Sequence, residues 1–279
     1  MKIGIADGRI WGNEHFLMLK SFGFDYYDFG MSNTEKPPYT CDNGEFDKLL
    51  TDQKNLADKA GVKIWQAHGP WRYPPRDGTV EDRAERLEKM MLSIHGAAVL
   101  GAKYWVVHPI MPCGLQDTKT GEADKTHALN LEFMKALLET ARKEKIIICL
   151  ENMPFPDFSL SSPTAIADFI KEINDPFFQM CLDTGHANVS PDWLTPADSI
   201  RKYRNIIKVL HVHDNMGHND QHLAPFHGTI DWKDFGKALR ETEFDGVISL
   251  ETAPYKNLPE KILKEMYVLY AKMAKAICE

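Results

Sequence analysis

Eight short β-rich apolar runs alternate with longer segments of helical period along a chain of 279 residues, at 2–7, 25–31, 62–68, 103–108, 146–151, 178–183, 207–213 and 246–251. Tyr104-Trp105-Val106-Val107 and Ile146-Ile147-Ile148-Cys149-Leu150 are apolar or nearly so throughout. Strands of this kind are covered on both faces, as in parallel sheets. Helical segments are expected at 80–100, 125–143, 163–173 and 258–277. In the first, Leu87, Met91, Ile94 and Ala98 share one side and charges take the other. Ser162-Pro163 supplies a capping residue followed by a proline tolerated in the first turn. Gly23, Gly61 and Gly101 each separate a helical segment from a strand, where a left-handed C-terminal cap belongs. Eight strand–helix units predict one α/β domain over 1–279, a (β/α)8 TIM barrel. A doubly wound open sheet is the alternative, but no G-x-G-x-x-G follows the first strand and there is no P-loop. The loops at 32–44 and 110–124 are long and rich in turn formers and charges, as lid or binding loops are.

Composition narrows the function classes. Apolar residues make up 43% and charged residues 26%, enough for a large core without disulfides. A net charge of −7 with no basic block speaks against nucleic acid as a partner. The five cysteines, Cys41, Cys113, Cys149, Cys181 and Cys278, are scattered, with no C-x-x-C pair, which fits a reducing compartment. The N-terminal run lacks signal-peptide anatomy, and no apolar run is long enough to span a bilayer. A soluble cytoplasmic protein with no membrane association is expected, and assembly into a homo-oligomer is compatible with such a chain.

The chemistry lies where the strands end. Strands three to eight finish at His68, His108, Glu151, Asp183, His211 and Glu251. In a barrel these ends converge on one mouth, where active sites are built. Taken singly, a histidine there is commonly structural, and an acid commonly caps the next helix. Six in succession after apolar runs is another matter, because buried carboxylates are costly unless paired or bound to metal. His186, His213, His222 and His227 also fall at or just after strand ends, whereas His15, His95 and His127 sit in helical segments and His218 in a polar loop. Those last four read as ordinary surface or packing residues. His211 and His213 share a face because strand side chains alternate with period two. Asp220 and His222, two apart in the next loop, are candidates for a second metal, and Asp231 reads as a helix N-cap.

Glu151, Asp183, His211 and Glu251 form a mixed oxygen and nitrogen donor set suited to Mn, Mg, Co or Zn. A sugar or polyol lying between Glu151 and Glu251 would have its carbonyl polarised by the metal, which would stabilise an enediolate. One carboxylate would remove the adjacent proton and the other return it, giving isomerisation or epimerisation. His186 is placed to bond a substrate oxygen, and Trp71, Trp105 and Trp11 are candidates for the pocket walls.

Four stretches carry a family resemblance: Glu151-Asn152-Met153-Pro154, Asp183-Thr184-Gly185-His186, His211-Val212-His213-Asp214-Asn215 and Gly228-Thr229-Ile230-Asp231-Trp232. They resemble the xylose isomerase-like TIM-barrel family, which includes sugar phosphate isomerases and epimerases, ketose 3-epimerases and, more distantly, endonuclease IV. The resemblance implies Glu151, Asp183, His211 and Glu251 as ligands of one metal, with the two glutamates as the acid–base pair. On strand seven, counting back from Asp214 favours His211, and matching the second histidine of H-x-H favours His213; His211 is preferred. The endonuclease IV likeness implies up to three zinc ions and nine ligands, adding His68, His108, His186, Asp220 and His222. Two stretches depart from that group: Met153-Pro154-Phe155-Pro156 replaces its glycine-rich run, and Met216-Gly217-His218-Asn219 replaces its basic stretch. A non-catalytic barrel that binds sugar or metal is a third reading, but it predicts a disrupted glutamate pair, and both glutamates are present.

Overall fold

The computed structural model describes residues 2–8, 11–71, 74–252, 254 and 257–279. Eight strands form the barrel wall: β1 Lys2–Ala6, β2 Tyr26–Gly30, β3 Lys63–His68, β4 Tyr104–Val107, β5 Ile147–Glu151, β6 Phe178–Asp183, β7 Ile207–His211 and β8 Val247–Leu250. The sheet runs in the order β7-β6-β5-β4-β3-β2-β1-β8, and its paired strands are parallel. It closes between β7 and β8 just beyond the end of β7, where Val212 N donates to Ser249 O at 2.8 Å and Glu251 N donates to Val212 O at 3.0 Å. The (β/α)8 barrel expected from the sequence is thus the fold, with strand ends within one or two residues of those expected.

The longer helices are α1 His15–Phe22, α2 Asn43–Ala60, α3 Val80–Val99, α4 Ala123–Glu144, α5 Pro163–Ile173, α6 Pro196–Tyr203, α7 Trp232–Glu241 and α8 Glu260–Ile277. Local chemistry sets their ends. Asp42, Thr79, Ser162, Thr195 and Asp231 each accept a backbone N–H of the first turn that follows. Gly23 and Gly61 end α1 and α2 at φ of 105° and 71°, a conformation that costs a residue with a Cβ more than it costs glycine. Among the described residues, no helix is long and apolar enough to cross a membrane.

Period-two alternation divides the strands into two packed faces. Tyr104, Val106, Cys149, Cys181 and Val209 form one buried cluster inside the barrel, with Trp65 and Ile147 against it. Trp105, Val107, Ile148, Leu150 and Leu182 belong to the larger cluster between sheet and helices. The parity of the inner set continues to His108, Glu151, Asp183, His211 and His213, which therefore emerge at the mouth. Trp105 has the opposite parity. It is fully buried and donates from Nε1 to Ser93 Oγ on α3 at 2.8 Å, so it belongs to the helix layer and not to the pocket wall. Trp11 precedes the short turn Gly12–Glu14 that leads into α1, with ring centroids 5.4 Å from Phe22 and 5.0 Å from Tyr267. It too is absent from the described wall of the mouth cavity, leaving Trp71 as the one of the three expected tryptophans found there.

The loop at 110–124 is pinned down and contributes nothing to the described cavity wall. Asn130 clamps Ile110, with Oδ1 accepting from its N and Nδ2 donating to its O, both at 2.8 Å. Asp117 accepts from Ser159 N and Oγ. Asp77 accepts from Met111 N at 2.8 Å and pairs with Arg86, both side chains being buried. Removing one member of such a pair leaves an uncompensated charge, at a cost of about 3–5 kcal/mol. Asp77→Ala should therefore lower unfolding free energy by about that much in urea titrations. A loss under about 1 kcal/mol would show that the pair does not anchor the loop after His108.

Candidate metal centre

The strand ends are tied to one another before any ligand is considered. Asn152 locks β5 to β6: its Oδ1 accepts from Asp183 N at 2.8 Å and its Nδ2 donates to Asp183 O at 3.1 Å. Asp183 then caps the single helical turn Thr184–Ala187, with Oδ1 accepting from His186 N at 2.6 Å. That capping role uses one oxygen and leaves Oδ2 for His213 Nε2 at 3.0 Å. Thr184 Oγ1 donates to His213 O at 2.7 Å, joining β6 to the residues after β7. Gly185 makes room for the imidazole of His213, since a Cβ there would lie 2.0 Å from its Cε1. Each position of Asp-Thr-Gly-His thus has a separate task.

Asp214 looks like part of a ligand run but serves as a strut. It accepts from Asn215 N and Ile230 N on one oxygen, and from Gly228 N and Trp232 Nε1 on the other. This fastens the Gly228–Trp232 stretch beneath the mouth. Gly228 is required there, because a Cβ would come within 2.1 Å of Asn215 O.

At the centre lies Glu151, almost wholly buried. His211 Nδ1 is 3.0 Å from its Oε1, and His108 Nε2 and His68 Nε2 are 3.0 and 3.4 Å from its Oε2. Glu251, just past β8, places Oε2 3.1 Å from the same His211 Nδ1, without hydrogen-bond geometry. Donor atoms of Glu151, Asp183, His211 and Glu251 all lie within 4.8 Å of one another. Two further groups meet the same test, namely His68 with Glu151 and His211, and His186 with His213, Asp220 and His222. His211, which ends β7, and His213, two residues beyond it, therefore separate into different groups.

Three of the histidines are fixed in the same way. His68 Nδ1 lies 2.9 Å from Gly69 O, His186 Nδ1 2.7 Å from Asn152 O, and His222 Nδ1 2.8 Å from Glu251 O. Each then offers Nε2 to a carboxylate. Such outward bonds fix the ring and its tautomer in metal-ligating histidines. Glu151, Asp183, His211 and Glu251 could hold one divalent cation, and His186, His213, Asp220 and His222 form a second group that could hold one.

The electrostatics follow from crowding. Burial raises Glu151, but His211 and His108 outweigh it and hold the carboxyl well below its ordinary range. Burial likewise raises Glu251, and His211 more than reverses it. Burial pushes His108 down to about 4, outweighing the opposing effect of Glu151, and His68 and His186 add to the lowering. Burial also acts to lower His186 and His222, yet Asp183 and Asp220 raise the first to about 10, and Asp220 and Glu251 the second to about 10.

A cavity of about 620 Å³ opens over the cluster, walled in part by Asp28, Trp71, Phe155, His218 and Asn219. His218, read from the sequence as an ordinary loop residue, stands in this wall. His227 is exposed, lies outside the described wall, and turns its Nδ1 toward Pro225 O. His15 is buried with Nε2 2.9 Å from Asp7 Oδ1, His95 lies 3.0 Å from both Asp47 and Glu144, and His127 pairs with Glu172. Sequence reasoning missed Asp28, which is buried on β2 with Oδ2 2.9 Å from His211 Nε2. The only signal was one acid inside the aromatic run Tyr26-Tyr27-Asp28-Phe29.

The model of the family described as "Xylose isomerase-like TIM barrel" matches residues 16–272, and the chain belongs to that family. An uncharacterised protein of Methanocaldococcus jannaschii, MJ1311, is 32% identical over 75% of this chain and 72% of its own length. A D-psicose 3-epimerase of Enterocloster bolteae is 24% identical over 61% of this chain and 52% of its own length. Among solved structures, a D-tagatose 3-epimerase-like protein is 26% identical, with a TM-score of 0.74 over 99% of both chains.

The raised histidines give a pH test on protein kept metal-free with a chelator. A group whose folded pKa is raised contributes stability in full below its unfolded pKa, near 6.5, and loses it as pH rises through the folded value. For His186 and His222 the loss should therefore spread from about pH 6.5 to about pH 10. The melting temperature of the metal-free protein should fall across that window, and the fall should shrink in Asp220→Asn. A flat profile in the wild type would contradict the assignment of charge to this cluster.

Proposed function

We propose that this xylose isomerase-like barrel is a metal-dependent isomerase or epimerase of sugars or sugar phosphates, with Glu151 and Glu251 as its acid–base pair. The observation that carries the reading is the convergence of Glu151, Asp183, His211 and Glu251 within 4.8 Å beneath a cavity of about 620 Å³. Its similarity to a D-psicose 3-epimerase and to a D-tagatose 3-epimerase-like structure supports the same reaction class.

Glu151, Asp183, His211 and Glu251 would hold the cation. When bound, a divalent ion polarises a carbonyl and stabilises negative charge developing on its oxygen. The chain's own residues supply the rest. Glu151 ends β5, and Glu251 follows β8, so they reach the cavity from different sides. One carboxylate takes the proton next to the carbonyl, and the other, ionised at rest, gains a proton from solvent and delivers it to the opposite face. Exchanging these roles runs the reaction in reverse. His186 is anchored through Nδ1, has Nε2 3.4 Å from Asp220 Oδ2, and stands in the cavity wall, where it could bond a substrate oxygen in company with Asp220. Trp71, its ring centroid 4.4 Å from that of His108, offers an apolar wall for a sugar face.

Glu151→Gln and Glu251→Gln should each lower solvent exchange of the proton next to a ketose carbonyl by about 10²-fold or more, with circular dichroism unchanged. Near-normal exchange in either variant would remove that residue from proton transfer. Deuterium uptake from D₂O into a panel of ketoses and ketose phosphates, followed by NMR, makes the measurement.

The Asp220 group favours a second reading, a multinuclear hydrolase resembling endonuclease IV. Asp183→Ala and His211→Ala should strip metal in either case, and His213→Ala should do so less under the epimerase reading. The double change Asp220→Ala, His222→Ala separates the two. The epimerase reading expects metal content near that of the wild type. Loss of one or two ions, with cleavage of abasic duplex DNA by the wild type and no ketose turnover, would favour the hydrolase.

A further inference from the structure

We infer that Asp28 is a positioning residue that makes His211 present Nδ1, not Nε2, to the cation. The inference rests on the proposed reading that Glu151, Asp183, His211 and Glu251 hold that cation.

His211 stands the opposite way round from His68, His186 and His222. Those three tie Nδ1 to a backbone carbonyl and present Nε2. His211 has Nδ1 3.0 Å from Glu151 Oε1 and 3.1 Å from Glu251 Oε2, while Nε2 lies 2.9 Å from Asp28 Oδ2. Its outer partner is thus a carboxylate where the others have a neutral carbonyl. A carboxylate there fixes the tautomer with the proton on Nε2, leaves the Nδ1 lone pair free, and makes that nitrogen a stronger donor to a metal.

Asp28 is itself held in place. It is buried, and Gln66 Nε2 donates to its Oδ2 at 2.7 Å. The pairing of β2 with β3 steps from Tyr27–Ile64 to Asp28–Gln66, passing over Trp65. That irregularity sets Gln66 directly opposite Asp28, the kind of local offset that re-aims side chains beside active sites. The second oxygen, Oδ1, is buried without a hydrogen-bond partner among the described residues, and Asp28 belongs to the cavity wall. Neither Asp28 nor Gln66 is in any of the three groups able to hold a metal, so their contact with the site runs through His211.

The test uses full-length protein carrying ¹⁵N-labelled histidine, titrated with zinc buffered by a competing chelator. The imidazole signals of His211 are assigned by their loss in His211→Ala. In the wild type, zinc should shift Nδ1 to the metal-bound range while Nε2 keeps its proton. In Asp28→Asn, which preserves shape, the zinc affinity read from His211 should fall by about 10- to 100-fold. The melting temperature of the metal-free variant checks that it is folded. Coordination through Nε2 in the wild type would overturn the inference and leave the metal reading standing, and that result does not depend on the variant. An Asp28→Asn affinity within twofold of the wild type would overturn it as well. No response of His211 to zinc would sink the metal reading and the inference together.

Discussion

The site depends on one buried carboxylate. Glu151 is 1% exposed at the end of β5, and a lone charge there would cost several kcal/mol in lost hydration. The chain offsets that cost by surrounding it with imidazoles from three other strands: His68, His108 and His211. Two of those imidazoles are oriented in turn, His68 by the carbonyl of Gly69 and His211 by the carboxylate of Asp28. The mouth of the barrel is therefore a connected polar network, in which each member fixes the geometry of the next.

The network also explains why the longer motifs read as they do. In Asp183-Thr184-Gly185-His186 the acid caps a turn, the hydroxyl joins two strands, the glycine clears space and the histidine faces the cavity. In the run after His211, Asp214 takes four donors and holds Gly228 and Trp232 in place. These are supports built into the same short segments as the candidate ligands, and such support is what keeps a site within the tolerance catalysis needs.

Much of this was legible in the sequence because period-two alternation is strict. Once strands ended at His108, Glu151, Asp183 and His211, parity sent those side chains to one mouth, and the structure brings them together there. The same rule, applied inside β4, puts Trp105 on the helix side, next to Ser93, and not in the pocket. Asp28 was not legible, because its importance comes from a register offset between β2 and β3 that no local pattern records. His218 and the 110–124 loop were misjudged for a related reason. Loop paths depend on long-range clamps such as Asn130 on Ile110 and Asp77 on Met111, whose partners are 20 and 34 residues away. Composition carries no trace of those pairings.

We propose that Glu151, Asp183, His211 and Glu251 together hold one divalent ion at the mouth of the barrel. Anomalous diffraction from crystals of the purified protein, with data collected at the absorption edges of manganese, cobalt and zinc, tests this most directly. The expected result is an anomalous peak within coordination distance, about 2.0–2.3 Å, of one donor atom from each of the four residues. A peak confined to His186, His213, Asp220 and His222, or no peak in protein whose bulk metal analysis is also blank, would contradict it.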